Sequence, residues 1–209
     1  MKRLSRRILF TGGATALAVG ATAGVALAVA ITFSISPGGS ISATAGTTTL
    51  KDTATGSVLS CKSSNTASTL KSGHGIAGTN LGSVTALSFS SCTGPFGLVF
   101  TVSNSGFPWT LSGSSFNATT GVTTGKITGI KSHLSGTACA ADVAGTSATT
   151  PGTVKVTYTN STHKLKVLPT GGTLHVFNVN GCAGLIASGD ATQFSGTYTV
   201  SPAQTITSP

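Results

Sequence analysis

The chain has 209 residues, of which only 7% are charged, against about 25% in ordinary globular domains. Twelve Lys and Arg residues stand against three acidic ones, which gives a formal net charge of +9, and the sequence contains no Glu. Ser, Thr and Gly are abundant instead, at 28, 37 and 28 residues. A hydrolase built on paired carboxylates needs two well-placed acids. Only Asp52, Asp142 and Asp190 could supply them, so most carboxylate chemistry is excluded.

The N-terminus has the layout of an export signal. Four of the twelve basic residues fall within residues 1–7, and no charged residue follows until Lys51. A short basic segment followed by an apolar stretch, here Ala14–Phe33, is typical of a signal peptide. The run Ser5–Phe10 resembles the twin-arginine export motif, although Thr11 replaces the lysine that often ends that motif. The alternative is an uncleaved membrane helix, since about 20 apolar residues can span a bilayer.

Three small-x-small sequences are candidate cleavage sites, and they end at Ala28, Ala30 and Ala45. We favour the last, because Pro37–Gly39 would end the apolar helical stretch just upstream. The resulting prediction is a signal peptide over residues 1–45, a flexible segment over 46–55, one all-β domain over 56–200 and a frayed tail over 201–209. The mature protein would be secreted or retained at the cell surface, with membrane contact only through an uncleaved signal segment.

Beyond residue 50, short stretches of alternating polar and apolar residues recur about every ten residues, bounded by Gly, Asn, Ser and Pro. This spacing is typical of an all-β protein. Residues 140–152 hold few apolar side chains and are predicted to form a mobile loop. The predicted strands lie, in chain order, near 83–91, 98–102, 126–134, 153–179 and 194–200.

The clearest pattern covers residues 153–179. Apolar and polar residues alternate from Thr153 to Thr159, Asn160–His163 supplies a hairpin loop, and a turn after the return strand leads to a third strand over 173–179. We therefore expect a three-stranded meander with its lysines facing water. The expected fold of the whole domain is an antiparallel β-sandwich or partly closed barrel of about 8–12 short strands.

Without residues 1–45 the protein keeps eight lysines, three aspartates and no arginine, so its net charge is +5. Nucleic-acid-binding proteins rely on arginine and cluster their basic groups, whereas these lysines are scattered singly among Ser and Thr. A nucleic-acid partner is therefore not expected. The mild positive charge is compatible with contact to anionic cell-wall polymers. Other envelope proteins and further copies of the chain are the alternative partners.

All four cysteines, Cys61, Cys92, Cys139 and Cys182, follow the predicted signal. An even number in an exported protein indicates two disulfides, and four cysteines allow three pairings. We favour Cys61–Cys92 and Cys139–Cys182, because each half of the chain shows a strand, a cysteine, a glycine turn and another strand. The spacings of 31, 47 and 43 residues are not those of zinc ligands. We therefore expect neither a metal nor another cofactor.

Several segments together suggest a family. They are Gly78–Thr85, which leads into Phe89–Cys92, then Gly106–Trp109, and Asn180–Leu185 with the nearby Gly189-Asp190. These segments resemble a group of uncharacterised secreted, β-rich proteins of actinobacteria with a twin-arginine-like signal, and the resemblance spans most of residues 56–207. It implies an actinobacterial origin and an exported protein. Because no activity is established for that group, it transfers no catalytic residue.

The common catalytic arrangements are missing from the sequence after the signal. No G-x-S-x-G nucleophile elbow occurs there, and Gly125-Lys126 lacks the rest of a phosphate-binding loop. None of the four histidines has a second histidine at metal-ligand spacing. The protein is therefore not expected to be an enzyme.

Four aromatic residues are the candidate ligand contacts. Trp109, the only tryptophan, is expected to pack in the core, because an isolated indole makes a poor platform for a sugar. Together with Phe96, Phe100 and Phe107 it could instead line an apolar pocket.

Two functions are therefore open from the sequence. The first is a non-catalytic, secreted or envelope-associated β-domain that acts in surface contact, adhesion or assembly; the scarcity of acids and the Ser/Thr-coated strands favour it. The alternative is a carrier that holds a small apolar ligand in a barrel or sandwich, with the four aromatic residues as lining.

Overall fold

A computed structural model describes residues 31–209, of which 65% lie in β-strands, all paired antiparallel. Two short 3-10 turns, Pro95–Gly97 and Cys182–Gly184, interrupt the strand order. The predicted all-β antiparallel class is confirmed. In chain order the strands are β1 Thr32–Ser36, β2 Gly39–Ala45, β3 Thr48–Asp52, β4 Val58–Leu70, β5 Gly73–Ala77, β6 Gly82–Thr93, β7 Val99–Ser105, β8 Trp109–Asn117, β9 Val122–Gly136, β10 Cys139–Ala144, β11 Gly152–Thr159, β12 Lys164–Val167, β13 His175–Gly181, β14 Thr192–Ser201 and β15 Thr205–Thr207.

The main sheet closes into a ring. Each strand pairs with the next in the order β9, β11, β12, β14, β2, β4, β6 and β8, and β8 pairs again with β9. Strand β9 is long enough to serve both ends of the ring, since its second half pairs with β7 and β10. At that second end, β3 lies between β14 and β4, and β13 pairs with β10.

The interior of the ring is apolar because successive residues of a strand face opposite sides of the sheet. In β11, Val154, Val156 and Tyr158 are buried, whereas Lys155 between them is exposed. The buried residues of the ring belong to one continuous hydrophobic cluster. The outer surface carries mainly Ser, Thr and Lys side chains.

A second sheet of three strands, in the order β15, β1 and β5, covers one end of the ring. Phe33 of β1 is fully buried and lies against the ring so closely that a Cβ atom at Gly113 would come within 2.7 Å of its Cζ atom. Ile206 of β15 lines a small cavity together with Leu111 and Tyr158 of the ring. This small sheet therefore caps the ring and shares its core.

The structure differs from the predicted boundaries at both ends of the predicted domain. Residues 46–55 are not a flexible segment, because β3 pairs there with both β4 and β14. Residues 201–209 are not a frayed tail, because β15 pairs with β1. In both places the strands are short and rich in Thr, so composition does not distinguish them from loops.

The predicted signal peptide also extends too far. Residues 32–45 form β1 and β2, and cleavage after Ala45 would remove both strands from the core. Cleavage after Ala28 or Ala30 would leave every described strand intact. The rest of the predicted signal, residues 1–30, lies outside the described residues.

The predicted meander is half correct. The hairpin of β11 and β12 is confirmed, but the other edge of β12 pairs with β14, so the third strand, β13, pairs with β10 instead. Residues 140–152, predicted as a mobile loop, include most of β10, in which Ala141 and Val143 are buried between β9 and β13. The small side chains of β10 hid its alternation in the sequence.

Both favoured disulfides are present, Cys61–Cys92 and Cys139–Cys182. They lie along one row of paired residues that crosses β4, β6, β7, β9 and β10, with Phe100 between them. This row is at the end of the ring away from the three-stranded cap. Two such bridges indicate an oxidising, extracellular environment. None of the helical turns within residues 31–209 has the length and apolarity needed to cross a bilayer.

Candidate functional site

Inward-facing residues of the ring line an apolar cavity of about 120 Å³, called the main cavity below. Its wall is made by inward-facing residues from most strands of the ring, so no single segment of the sequence defines it. The wall side chains are mostly aliphatic, among them Ile41, Ala43, Leu87, Val102, Ile127 and Val154.

The polar side chains Asn104, Ser132 and Tyr198 of this wall have hydrogen-bond partners within the protein. Asn104 accepts the Ser132 hydroxyl on Oδ1 at 2.6 Å and donates from Nδ2 to the Leu87 carbonyl at 2.9 Å. The Tyr198 hydroxyl is hydrogen-bonded to that of Ser64 at 2.9 Å, and burial raises the pKa of Tyr198 to about 12. Tyr198 is therefore a neutral phenol at pH 7. The wall carries no charged side chain and suits an apolar occupant, because a polar one would lose its bonds to water.

Trp109 is part of the wall. Its side chain is 3% exposed, its Nε1 donates to the Ser105 carbonyl at 2.9 Å, and the Phe107 ring stacks on it with centroids 4.5 Å apart. Trp109 is therefore buried in the core and also lines the main cavity, so both positions considered for it apply. Its indole N–H is satisfied by backbone, so Trp109 presents an apolar face to the cavity.

The structure does not bring the other three aromatic candidates to this wall. Phe107 packs against Trp109 and is absent from the lining. Phe100 lies at the disulfide end, where its ring fits against Gly94 and Gly136. Phe96 sits in the turn between β6 and β7 and is 94% exposed. The sequence analysis named only aromatic residues as candidate lining. The aliphatic residues that form most of the wall could be predicted only to face the interior of their strands.

A second cavity of about 40 Å³ lies at the disulfide end of the ring. It shares Leu50, Leu59 and Leu134 with the wall of the main cavity, so the two are neighbours. Most of its lining is apolar, but Asp52, Ser57 and Thr192 also line it. Asp52 was not predicted as a site residue, because the sequence did not reveal strand β3. Only in a strand do the alternate residues Thr48, Leu50 and Asp52 face the interior.

The most conspicuous polar cluster on the outer surface joins three strands. His133 Nδ1 lies 2.6 Å from Asp142 Oδ1, and Asn178 donates to Asp142 Oδ2 at 2.7 Å. These hydrogen bonds, that of Asn178 first, lower the pKa of Asp142. The side chains of His133 and Asp142 are 51% and 38% exposed. The cluster therefore resembles a solvated surface network; in the range 31–209, moreover, no three His, Cys, Asp or Glu side chains come together as metal ligands.

Comparison with known proteins gives no relative: no protein-family model matches the chain, and neither a curated protein nor a solved structure matches it significantly. The resemblance to secreted actinobacterial proteins stays a prediction. The function must therefore be argued from the cavities and surfaces themselves.

Proposed function

We propose that this protein is an exported, non-catalytic carrier that binds a small apolar molecule inside its closed sheet. The observation that carries the proposal is the main cavity, about 120 Å³ of apolar, uncharged space between the strands of the ring. Natural cores are packed with few voids larger than a water molecule. A space of this size costs stability, and a bound ligand would recover that stability.

The size of the main cavity sets the size of the ligand. An engineered cavity of about 150 Å³ lined by Leu, Ile and Phe stays dry and binds benzene. The main cavity, at about 120 Å³, is close to this size and has a similar lining. We therefore expect a ligand with a compact apolar body of about the size of a substituted benzene ring.

The two disulfides and the basic, apolar N-terminus support export as part of the same proposal. Disulfides form and persist in oxidising compartments. Secretion would place the carrier where small apolar molecules have low solubility in water and need a protein to move between surfaces.

The test of the carrier is a substitution that fills the main cavity. Ala43 on β2 lines that cavity, whereas Ala67, on the neighbouring strand β4, is exposed on the outer face. Ala43→Leu adds three carbons to the cavity, and Ala67→Leu adds the same atoms outside. Native mass spectrometry of protein purified from its host should find a small co-purified ligand in the wild type and in Ala67→Leu, and little in Ala43→Leu. Absence of any ligand, together with no binding of toluene by the wild type, would remove the proposal.

A separate observation favours surface contact as a second candidate function. Phe96, Val99 and Val58 are 94%, 66% and 39% exposed, and all three lie near the turn between β6 and β7. Phe96 also adopts φ 57°, a left-handed conformation that Asn tolerates far better than Phe. We expect Phe96→Asn to fold normally. If this turn makes the contact, the variant should lose self-association in sedimentation and adhesion to cell-envelope preparations; unchanged behaviour in both assays would argue against this second function.

A further inference from the structure

Asp52 is a buried carboxylate with one oxygen unused. The residue is 2% exposed. Its Oδ1 accepts the backbone N–H groups of Ala54 and Thr55 at 2.8 and 2.9 Å, which fixes the turn after β3. Its Oδ2 is also buried and has no hydrogen-bond partner among residues 31–209. A buried carboxylate oxygen without a donor lowers the stability of the fold, so we expect a donor from outside the chain to bind it.

A second unpaired group lies directly opposite. Thr192 of β14 is the register partner of Asp52, is 8% exposed, and its hydroxyl also lacks a partner in the described chain. Both residues line the second cavity, whose remaining wall is largely apolar. No cationic side chain in the described range forms an ion pair with Asp52, since the His133–Asp142 contact is the one ion pair found there. Two buried polar groups, a carboxylate oxygen and a hydroxyl that can both donate and accept, thus lie unpaired at the wall of a small space.

The position of this pair relates it to the main cavity. The second cavity shares Leu50, Leu59 and Leu134 with the main cavity, and on its other sides it is bounded by Phe100 and Ile186. A molecule with its apolar body in the main cavity could therefore extend a short polar group towards Asp52 between these leucines. Together the two cavities suit an amphiphilic ligand, because the main cavity is apolar and the second cavity carries the unpaired polar groups of Asp52 and Thr192.

We propose that the ligand carries a protonated amine, and that Asp52 Oδ2 with Thr192 Oγ1 is its headgroup site. This inference rests on the proposed carrier function and names the class of ligand. An ammonium group brings three donors and the positive charge that a carboxylate in an apolar wall attracts. A carboxylate ligand is disfavoured because it would place two like charges together. A neutral alcohol offers one donor and no charge, so it binds more weakly.

The test uses four compounds that share a phenyl ring and a short side chain but differ at the end of the chain: propylbenzene, 2-phenylethanol, 2-phenylethylamine and 3-phenylpropanoate. Binding is measured at pH 7 by calorimetry and by the emission of Trp109, which is the only tryptophan and lines the main cavity. The amine should bind at least tenfold more tightly than propylbenzene. The alcohol should fall between them, and the carboxylate should bind most weakly.

Two variants assign this preference to the pair. Asp52→Asn keeps the Oδ1 acceptor for the turn and replaces the unpaired oxygen by a donor, so it should weaken the amine at least tenfold and leave propylbenzene within threefold. Thr192→Val removes only the hydroxyl and should weaken the amine about threefold. Since the second variant perturbs the turn less, it keeps the test valid if Asp52→Asn unfolds.

The outcomes separate the two proposals. If propylbenzene binds but the amine binds no better, or if Asp52→Asn keeps the preference for the amine, the headgroup site is refuted and the polar pair holds only solvent, while the carrier function stands. If none of the compounds binds, the carrier function fails and the headgroup site fails with it.

Discussion

The two tyrosines of the chain are both buried, with their hydroxyl groups bonded inside the protein. Tyr198 bonds to Ser64, and Tyr158 donates to the Gln204 carbonyl at 2.8 Å and accepts its N–H at 3.2 Å. Burial raises the pKa of both phenols, that of Tyr198 to about 12. Each side chain should therefore stay neutral at a pH at which an exposed tyrosine, with a pKa of about 10, ionises.

We predict that the folded protein resists tyrosine ionisation at alkaline pH. At pH 10–11 the phenolate absorbance should be lower in the native state than in urea, where it should rise near pH 10. Since the unfolded phenol loses its proton first, the stability due to Tyr198 is fully present below pH 10 and is lost as the pH rises towards 12, by about 2–3 kcal/mol. Tyr198→Phe should lessen this loss.

Phenolate absorbance of the native protein rising near pH 10 would contradict the burial of both rings. A second check is stability at neutral pH. There Tyr198→Phe should lower the free energy of unfolding by about 1 kcal/mol or more, because the Ser64 hydroxyl, which is fully buried, loses its partner.

At this scale the sequence predicts some residues and misses others for a physical reason. The even number of cysteines indicates disulfides, and the strand–cysteine–turn pattern of each half favours the observed pairing. The burial of Trp109 follows from its large apolar ring. Phe96 and Phe100 look alike in the sequence, but the left-handed turn exposes one and Gly94 with Gly136 makes room for the other. The burial of Asp52 was not predictable, because nothing in the sequence around a single acidic residue indicates that its side chain is buried.

Among the elements, β1 contributes most to the cap. Its Phe33 and Ile35 are 0% and 2% exposed, and it holds β5 on one edge and β15 on the other. Strand β2 joins β14 to β4 within the ring. Both strands precede residue 46, so a chain that began at residue 46 would lack one strand of the ring and the central strand of the cap.

We predict that export leaves residues 31–209 together. Mass measurement of the secreted protein should place its N-terminus at Val29 or Ile31, after Ala28 or Ala30. A form starting at Ile31 should unfold cooperatively in urea, whereas a form starting at Gly46 should not fold, because losing Phe33 and Ile35 alone removes about 2–3 kcal/mol per side chain, a large part of a typical stability. A folded Gly46 form would show that the cap is dispensable.

The predicted and observed elements agree where a strand is long and alternates clearly, as in β6, β9 and the hairpin of β11 and β12. Pairing between strands distant in sequence was not predictable, because one edge of β12 can accept either β13 or β14 without any change in local pattern. Short strands rich in Thr or Ala, such as β3 and β10, carry too few large apolar residues to differ from loops. The main cavity was not predictable for the same reason, because its wall forms only when strands distant in sequence pair and close the ring.

In the whole molecule the two ends of the ring are closed by different means. The three-stranded cap packs Phe33 over one end, whereas at the other end the segment 182–190 places Leu185 and Ile186 beside the second cavity. This segment is attached through Cys182 to Cys139 and through a hydrogen bond of 2.6 Å from the Thr55 hydroxyl to the Leu185 carbonyl. Backbone hydrogen bonds also hold the two ends of the segment, from the Cys182 N–H to the Ala138 carbonyl and between Val176 and both Gly189 and Asp190. We therefore expect the middle of the segment, residues 183–188, to be the easier route for a ligand.

This difference predicts that the two disulfides affect the protein differently. Each closes a long loop, with separations of 31 and 43 residues, so removing either pair with alanines should cost about 2–4 kcal/mol of stability. In Cys139→Ala/Cys182→Ala the segment 182–190 loses its covalent anchor and keeps only its hydrogen bonds. Its amides should then exchange hydrogen faster, and the ligand should dissociate faster. In Cys61→Ala/Cys92→Ala the two strands remain paired by the β4–β6 ladder, so both rates should stay near those of the wild type. Equal acceleration in both double variants would mean that the ligand leaves through general loosening of the ring, and not past this segment.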